Sequence, residues 1–511
     1  MEKTAYFSFG NKKICFNFIN PALGPESLSW GQDGIIPDEM PEFIQKGTMF
    51  MNTAGRTAIS PFPVEGAAHD ELALFTDLYE LTMLQAYYHE KMEEEAVFSL
   101  FSRRLPEQRK FLLACGLDTV LTAVENLHFN EDSLSYLEAT EKFSREFLAW
   151  LRGFRFTGDI RAVPEGTPVF ADEPILEVIA PLPQAQLLET FVMNQVHLQT
   201  VLASKAWRVV SAARGRTVVD FGSRRMHGID AALKAARAFY IAGVDSTSNV
   251  LAGKRYDIPV SGTMAHSYIQ AHEDELSAFQ AFADLYPRTV LLVDTYDTIA
   301  GIHNVTALAD TLGDAFQISA VRLDSGDLLA LSRKARQLLD SADLNKVEIF
   351  ASGGLEEHSI AQLLSSGAPI NGFGVGTGMG VSSDAPALDM AYKLCEYAGK
   401  GRLKLSTGKP VLPGQKQIFR REENGRDIGD TIGRAKEDLP GRPLLETVMH
   451  KGRRLDTATK DLKEIRSHAR KQTDRLPSSA RQIVKEGPFY PVKVSEALSD
   501  FQQEVTKRVS S

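Results

Sequence analysis

At 511 residues, the chain exceeds the ~250–300 residues at which one hydrophobic core stops growing, so two domains are expected. Hydrophobic residues make up 43% and charged residues 24%, an ordinary globular composition, and no apolar run approaches the ~20 residues that span a bilayer. The net charge of −9 speaks against a general nucleic-acid binder, which is usually basic, so cations meant for an anionic ligand must be concentrated locally.

In chain order, residues 1–70 are rich in Asn, Gly and Pro, show no helical period and contain Pro61-Phe62-Pro63 near their end. They are expected to form a poorly ordered extension. From His69 the pattern sharpens: Leu74, Leu78, Leu81, Gln85 and Tyr88 fall at helical spacing, with Thr76 as the expected N-cap. Residues 95–118 read as strand, loop and strand, and a helical stretch runs on to Arg152. Strands are expected within Ile160–Phe170 and Pro174–Ile179, and a long helix over Gln184–Ala213. From residue 217 to residue 380, apolar runs repeatedly end in polar or glycine-rich clusters, usually followed by a helical stretch. After about Lys393 short strand-like pieces appear at Arg402–Leu405 and Gln417–Arg420, and the last segment is helical or loose. The expected fold class is α/β: an irregular α/β barrel over 213–393 carrying the site, and an α/β sandwich formed by both flanks, 71–212 with 394–511. Cys15, Cys115 and Cys395 lack metal-type spacing and the first residues lack a basic-then-apolar leader. A cytoplasmic location is therefore expected.

In a barrel the carboxyl ends of the parallel strands meet on one face, so these clusters converge on one ligand. Ala351-Ser352-Gly353-Gly354 and Gly374-Val375-Gly376-Thr377-Gly378 suit backbone N–H groups turned towards a phosphate, though simple turns would use the same glycines. In Arg322-Leu323-Asp324-Ser325-Gly326-Asp327, alternation puts Arg322 and Asp324 on one side of a strand end. The pair offers a guanidinium fork for a carboxylate or phosphate beside a carboxylate for ribose hydroxyls or Mg²⁺, with Asp324 and Asp327 as the expected metal ligands. The plainer reading makes them an ion pair and a helix cap, with Ser325 or Asp324 as the capping residue; Asp294 and Asp297 are open to capping too. His266 follows Gly262-Thr263, and its spacing from His272 suits no metal pair, which favours a nucleophile or proton carrier over a zinc ligand. Phe221 beside Arg224 suggests an aromatic face next to a cation, although a core Phe fits the pattern equally.

The ordered set Thr76-Asp77-Leu78-Tyr79, Asp220-Phe221-Gly222-Ser223-Arg224-Arg225, Gly262-Thr263-Met264-Ala265-His266-Ser267, Val321-Arg322-Leu323-Asp324-Ser325-Gly326-Asp327, Ala351-Ser352-Gly353-Gly354 and Gly374-Val375-Gly376-Thr377 resembles the signature of nicotinate phosphoribosyltransferases. The stretches Lys404-Leu405-Ser406 and Pro413-Gly414-Gln415-Lys416-Gln417 extend the likeness, which covers residues 72 to 495. The resemblance implies the type II phosphoribosyltransferase fold and transfer of phosphoribosyl from 5-phosphoribosyl 1-diphosphate to nicotinate in NAD salvage. It implies ATP as co-substrate, through a phosphohistidine at His266, and Mg²⁺. It places Tyr79 and Phe221 around the pyridine ring, with Tyr79 contributed by a second copy in a homodimer. Arg224, Thr263 and Arg322 would lie near the nicotinate and sugar phosphate, and Gly353, Gly354, Gly376 and Thr377 at the 5-phosphate.

Four other readings compete. A nicotinamide phosphoribosyltransferase would need an acceptor for the amide, whereas the paired Arg224 and Arg225 favour a carboxylate; a quinolinate enzyme would need a denser basic pocket. A phosphate-binding barrel lyase or isomerase would offer a buried lysine or a paired acid and base at strand ends, and neither is evident in the sequence. The full set of His266, Arg322, Asp324 and both glycine loops argues against a non-catalytic sensor.

Overall fold

Runs of Val, Ile, Leu and Phe buried on both faces are the mark of parallel strands, and such runs supply most of one six-stranded, all-parallel sheet here. The structure is a computed structural model describing residues 3–9, 12–18, 69–405, 411–484 and 488–511. Numbered within this sheet in chain order, the strands are β1 (Thr217–Asp220), β2 (Ser246–Thr247), β3 (Val290–Leu292), β4 (Ala320–Leu323), β5 (Glu348–Ala351) and β6 (Gly372–Val375). Their order across the sheet is β3-β4-β5-β6-β1-β2, a parallel half-barrel. The short run 258–260, which leads into Gly262-Thr263, is not one of the six. Pro259 has no N–H to give a ladder, and Val260 makes only a single parallel bridge to Thr247. Ser246–Thr247, which the sequence pattern missed, takes the edge position.

A second sheet draws its strands from both sides of this region in the sequence. Met390–Tyr397 pairs antiparallel with Glu95–Ser102, which pairs with Pro174–Pro181 and, through it, with Asp159–Ala162 and Glu446–His450. The strand Met390–Tyr397 crosses the boundary drawn at residue 393. Arg402–Leu405 forms no strand: the hairpin closes at Lys400–Gly401, and after one more bond, from Arg402 N–H to Cys395 O, the chain leaves the sheet. A smaller sheet joins Arg442–Pro443, Lys416–Glu423, Arg426–Arg434 and Val492–Val494. The helical stretch before Arg152 resolves into Leu117–Glu125, Glu131–Ala139 and Arg145–Arg152. In the helix Leu78–Glu90 the N-cap position falls to Asp77, not Thr76; Asp77 is tethered through its carboxylate to the Thr190 hydroxyl at 2.8 Å. Residues Lys3–Phe9 and Lys12–Phe18 form an antiparallel hairpin. The rest of the expected extension up to residue 68 lies outside the described residues. Among the described residues, no helix is long and apolar enough to cross a membrane.

The helix Glu189–Ala212, with buried residues all round, packs against Ile229–Ala242 and Glu357–Ser365. An ion pair ties the two layers beside it. Arg237, on Ile229–Ala242, meets the buried Glu165 with two bonds of 2.9 and 2.7 Å, and Glu165 also accepts the Gly116 N–H at 2.6 Å. Burial alone would raise the Glu165 carboxyl, yet the guanidinium holds it below its ordinary range. Removing one partner of such a pair strands a buried charge. Arg237→Met should therefore cost about 3–5 kcal/mol, read as a lower urea midpoint; an unchanged midpoint would show that the pair ties nothing.

Candidate active site

Parallel register sets the strand ends level with one another: Leu292 opposite Arg322, Leu323 opposite Ala351, and Val375 opposite Asp220. The segments that follow therefore emerge along one rim. Arg322 leaves β4 and donates to Thr263 Oγ1, and its Cζ stands 5.8 Å from the centre of the Phe221 ring. That ring can lie where it does because residue 374 is glycine; a Cβ there would be 2.4 Å from it. The cation over Phe221 is thus Arg322, not the neighbouring Arg224 that the sequence suggested. Arg224 sits on the exposed 3-10 turn Ser223–Arg225. Burial lowers the Arg322 pKa, Asp324 and Asp294 oppose this, and the charge of Arg224 adds to the lowering. Arg322 Nε is buried and has no hydrogen-bond partner among the described residues. An aromatic face, a partly desolvated guanidinium and a hydroxyl thus share one corner.

Across from this corner, His266 opens the short helix His266–Gln270. Its Nδ1 lies 3.1 Å from Thr295 Oγ1, and its Nε2 lies 4.0 Å from Asp324 Oδ2. Asp324 Oδ1 accepts the Ser352 hydroxyl at 2.5 Å. The Asp324 N–H and the Ser325 hydroxyl both donate to Asp294 Oδ2, at 2.8 and 2.7 Å. Asp294 Oδ1 is buried without a partner among the described residues. Asp327, not Ser325 or Asp324, caps the following helix, accepting the Leu329 and Ala330 N–H groups at 3.1 Å each. Asp297 likewise caps Thr298–Leu312 through the Ala300 N–H.

The two glycine loops close the rim. Gly353 has φ +88°, and a Cβ there would sit 1.7 Å from the Asp324 carbonyl oxygen, so no other residue fits. Gly354 follows at φ +62°. Gly376 lies against the Phe221 backbone, and Thr377 Oγ1 accepts a bond of 2.9 Å from Arg225 Nη1. Phe221, Thr263, His266, Arg322, Asp324 and the glycines with Thr377 are thus brought to one rim, with Arg224 acting at its edge. Tyr79 stands apart on Leu78–Glu90, 48% exposed. Its hydroxyl pKa is pushed up by burial and then by Glu189, Glu80 and Asp77. Thr295, Ser352 and Asp294 were visible in the sequence clusters, but no pattern told which of them would grip His266 or Asp324.

Three family models match in chain order. They are the nicotinate phosphoribosyltransferase (NAPRTase) N-terminal domain over residues 74–197, the nicotinate phosphoribosyltransferase (NAPRTase) family over 217–432, and the nicotinate phosphoribosyltransferase C-terminal domain over 437–502. Nicotinate phosphoribosyltransferase pncB2 of Mycobacterium tuberculosis is 56% identical over 426 residues, 83% of this chain and 92% of that protein. Nicotinate phosphoribosyltransferase of Bacillus subtilis is 41% identical over 384 residues, 73% of this chain and 78% of that protein. Human nicotinic acid phosphoribosyltransferase superposes with a TM-score of 0.75 at 28% identity, over 84% of this chain and 99% of that structure.

Beside Tyr79, Glu80 is fully buried; its Oε2 accepts from Gln186 Nε2 at 2.7 Å, and the same amide donates to Glu189 at 3.1 Å. Burial lifts the Glu80 carboxyl from 4.5 to about 7, with Glu189 and Asp77 adding to the rise against the Gln186 bond. Between those two values the folded chain holds a proton that the unfolded chain has lost. Glu80 therefore costs stability increasingly as pH rises through that window. Glu80→Gln should flatten the dependence of the thermal midpoint on pH between 4.5 and 7 and raise it at about pH 8. Parallel curves for variant and wild type would refute the assignment.

Proposed function

The chain belongs to the nicotinate phosphoribosyltransferase family, and we propose that it transfers the phosphoribosyl group of 5-phosphoribosyl 1-diphosphate to nicotinate. The ring nitrogen displaces diphosphate from the sugar C1, giving nicotinate mononucleotide in NAD salvage. The observation that carries this reading is Arg322, drawn in over Phe221, bonded to Thr263, and left with a buried Nε that lacks a partner. A flat ring bearing a carboxylate answers both features of that corner, its π face on Phe221 and its charge on the guanidinium. Nicotinamide would bring only a neutral carbonyl, and the added charge of Arg224 favours the anion further. A Schiff-base lyase or isomerase fits less well. Lys205 is buried, but it lies on the helix Glu189–Ala212, and its Nζ is held at 2.6 Å from Glu357 and 2.9 Å from Asp384.

In this reading Gly353, Gly354, Gly376 and Thr377 cradle the 5-phosphate, with Arg225 orienting the Thr377 hydroxyl. Displacement at C1 passes through an oxocarbenium-like state, so the chain contributes chiefly alignment and fixed dipoles. Magnesium fits the residues present: Asp324 is 36% exposed at the rim, and Asp294 Oδ1 is a buried oxygen without a partner. Asp327 suits it less, its Oδ1 being committed to the helix cap. When bound, the ion offsets the charge of the departing diphosphate. His266 takes the γ-phosphoryl group of ATP on a ring nitrogen, ADP leaves, and hydrolysis later frees orthophosphate. The ~−1.5 to −2 charges so placed reorganise the loops and tighten the grip on the sugar diphosphate. The exposed Tyr79 completes the ring sandwich in a second copy of the chain, which makes the active unit a homodimer. Closure of the half-barrel into an irregular barrel beside an α/β sandwich, and a cytoplasmic location, belong to the same reading.

Two measurements test it. Labelling with γ-³²P-ATP should give an acid-labile, base-stable phosphoprotein, and His266→Ala should lose both the label and nicotinate-stimulated ATP hydrolysis. Hydrolysis unchanged in the variant would remove His266 from the mechanism. Turnover compared on nicotinate and nicotinamide should favour nicotinate strongly, and a preference for the amide would overturn the assignment of Arg322.

A further inference from the structure

Behind the glycine loops lies a group of buried charges that has no part in the proposed chemistry. Lys205, on the helix Glu189–Ala212, is fully buried, and its ammonium is shared between Glu357 Oε2 at 2.6 Å and Asp384 Oδ1 at 2.9 Å. Arg208, nearly one turn on, donates its Nε to Glu357 Oε1 at 2.8 Å. Arg109 completes the set: its Nη2 lies 3.3 Å from Asp384 Oδ1 and donates to Ser382 Oγ, while its Nη1 reaches the Val201 carbonyl at 2.8 Å. Burial would raise both carboxyls, yet Lys205 and Arg208 hold Glu357 below its ordinary range, and Arg109 and Lys205 hold Asp384 at about 2.

The positions of the two carboxylates give the cluster its meaning. Glu357 is the first residue of the helix after Gly353-Gly354, and Asp384 follows the turn Thr377–Gly380 that begins at the second loop. The loops also run close together: a Cβ added to Gly378 would lie 3.5 Å from Glu356 Cβ. Apolar side chains can often replace a buried ion pair without loss of stability, so stability alone does not account for three cations here. A lysine ion-paired with a carboxylate beyond each loop does fix their separation.

We infer that Lys205 is a positioning residue: by holding Glu357 and Asp384 on one ammonium, it sets the spacing of the two glycine loops and so their grip on the sugar 5-phosphate. The inference rests on reading those loops as the phosphate cradle. A grip that is equal in ground and transition states affects KM and leaves kcat largely alone. Steady-state kinetics of Lys205→Met and Asp384→Asn, with the folded fraction measured alongside, separates this from a purely structural role. Both variants should raise KM for 5-phosphoribosyl 1-diphosphate about tenfold, with kcat per folded enzyme and KM for nicotinate within about twofold. Asp384, whose side chain is 11% exposed, decides the matter should Lys205→Met fail to fold. A fall in kcat or in folded enzyme with both KM values unchanged would overturn the inference. Thr377→Val guards the underlying reading. An unchanged KM for the sugar diphosphate in that variant refutes the cradle itself, whereas a raised KM there with an unchanged one in Asp384→Asn refutes only the role of Lys205.

Discussion

The loop after β4 and the loop after β5 touch backbone to backbone, and the site depends on that contact. Gly353 presses on the Asp324 carbonyl so closely that even a methyl group is excluded. The Ser352 N–H bonds the Leu323 carbonyl at 2.8 Å, and its hydroxyl holds the Asp324 carboxylate. Asp294 secures the same turn from the other side through the Asp324 N–H. With Asp324 pinned on both sides, its free oxygen faces His266 and its strand delivers Arg322 to Phe221. A looser loop would disperse all of these groups together, and catalysis by alignment is sensitive to displacements of about 1 Å.

Positive charge is divided between two tasks. Arg224, Arg225 and Arg322 stand at the rim, partly or wholly open, where an anion can reach them. Lys205, Arg208, Arg237 and Arg420 are buried and each meets a carboxylate at 2.6–2.8 Å. Burying a charge without a partner is prohibitive, so each of these interior cations has a carboxylate beside it. The acidic chain thus presents a local cationic corner without a basic surface.

Much of this was legible in the sequence. Strands covered on both faces are continuous apolar runs, and their ends carry the polar clusters, so the rim could be read with residue numbers attached. Three things could not. Ser325, Asp324 and Asp327 are all competent helix caps, and only the start of the helix, fixed by packing, selects Asp327. The hydroxyls of Thr295 and Ser352 find partners set by tertiary proximity, which leaves no trace in spacing. Lys205 sits in a helical stretch like any solvent-facing lysine; its partners lie far along the chain at Glu357 and Asp384. Tyr79 is a different case. Nothing near it in sequence or in space assigns it to the ring, and its role rests on family likeness alone.

The antiparallel sheet built from both flanks has a consequence for biosynthesis. Glu95–Ser102 leaves the ribosome tens of seconds before its partner Met390–Tyr397, at synthesis rates of about 5–20 residues per second. Pro174–Pro181 can pair with one edge early, but the other edge of this apolar strand has no native neighbour until the half-barrel has been made. Such an edge is a template for wrong pairing. The nascent chain therefore depends on transient protection until its C-terminal quarter arrives, and a product truncated before residue 390 carries a permanently open edge.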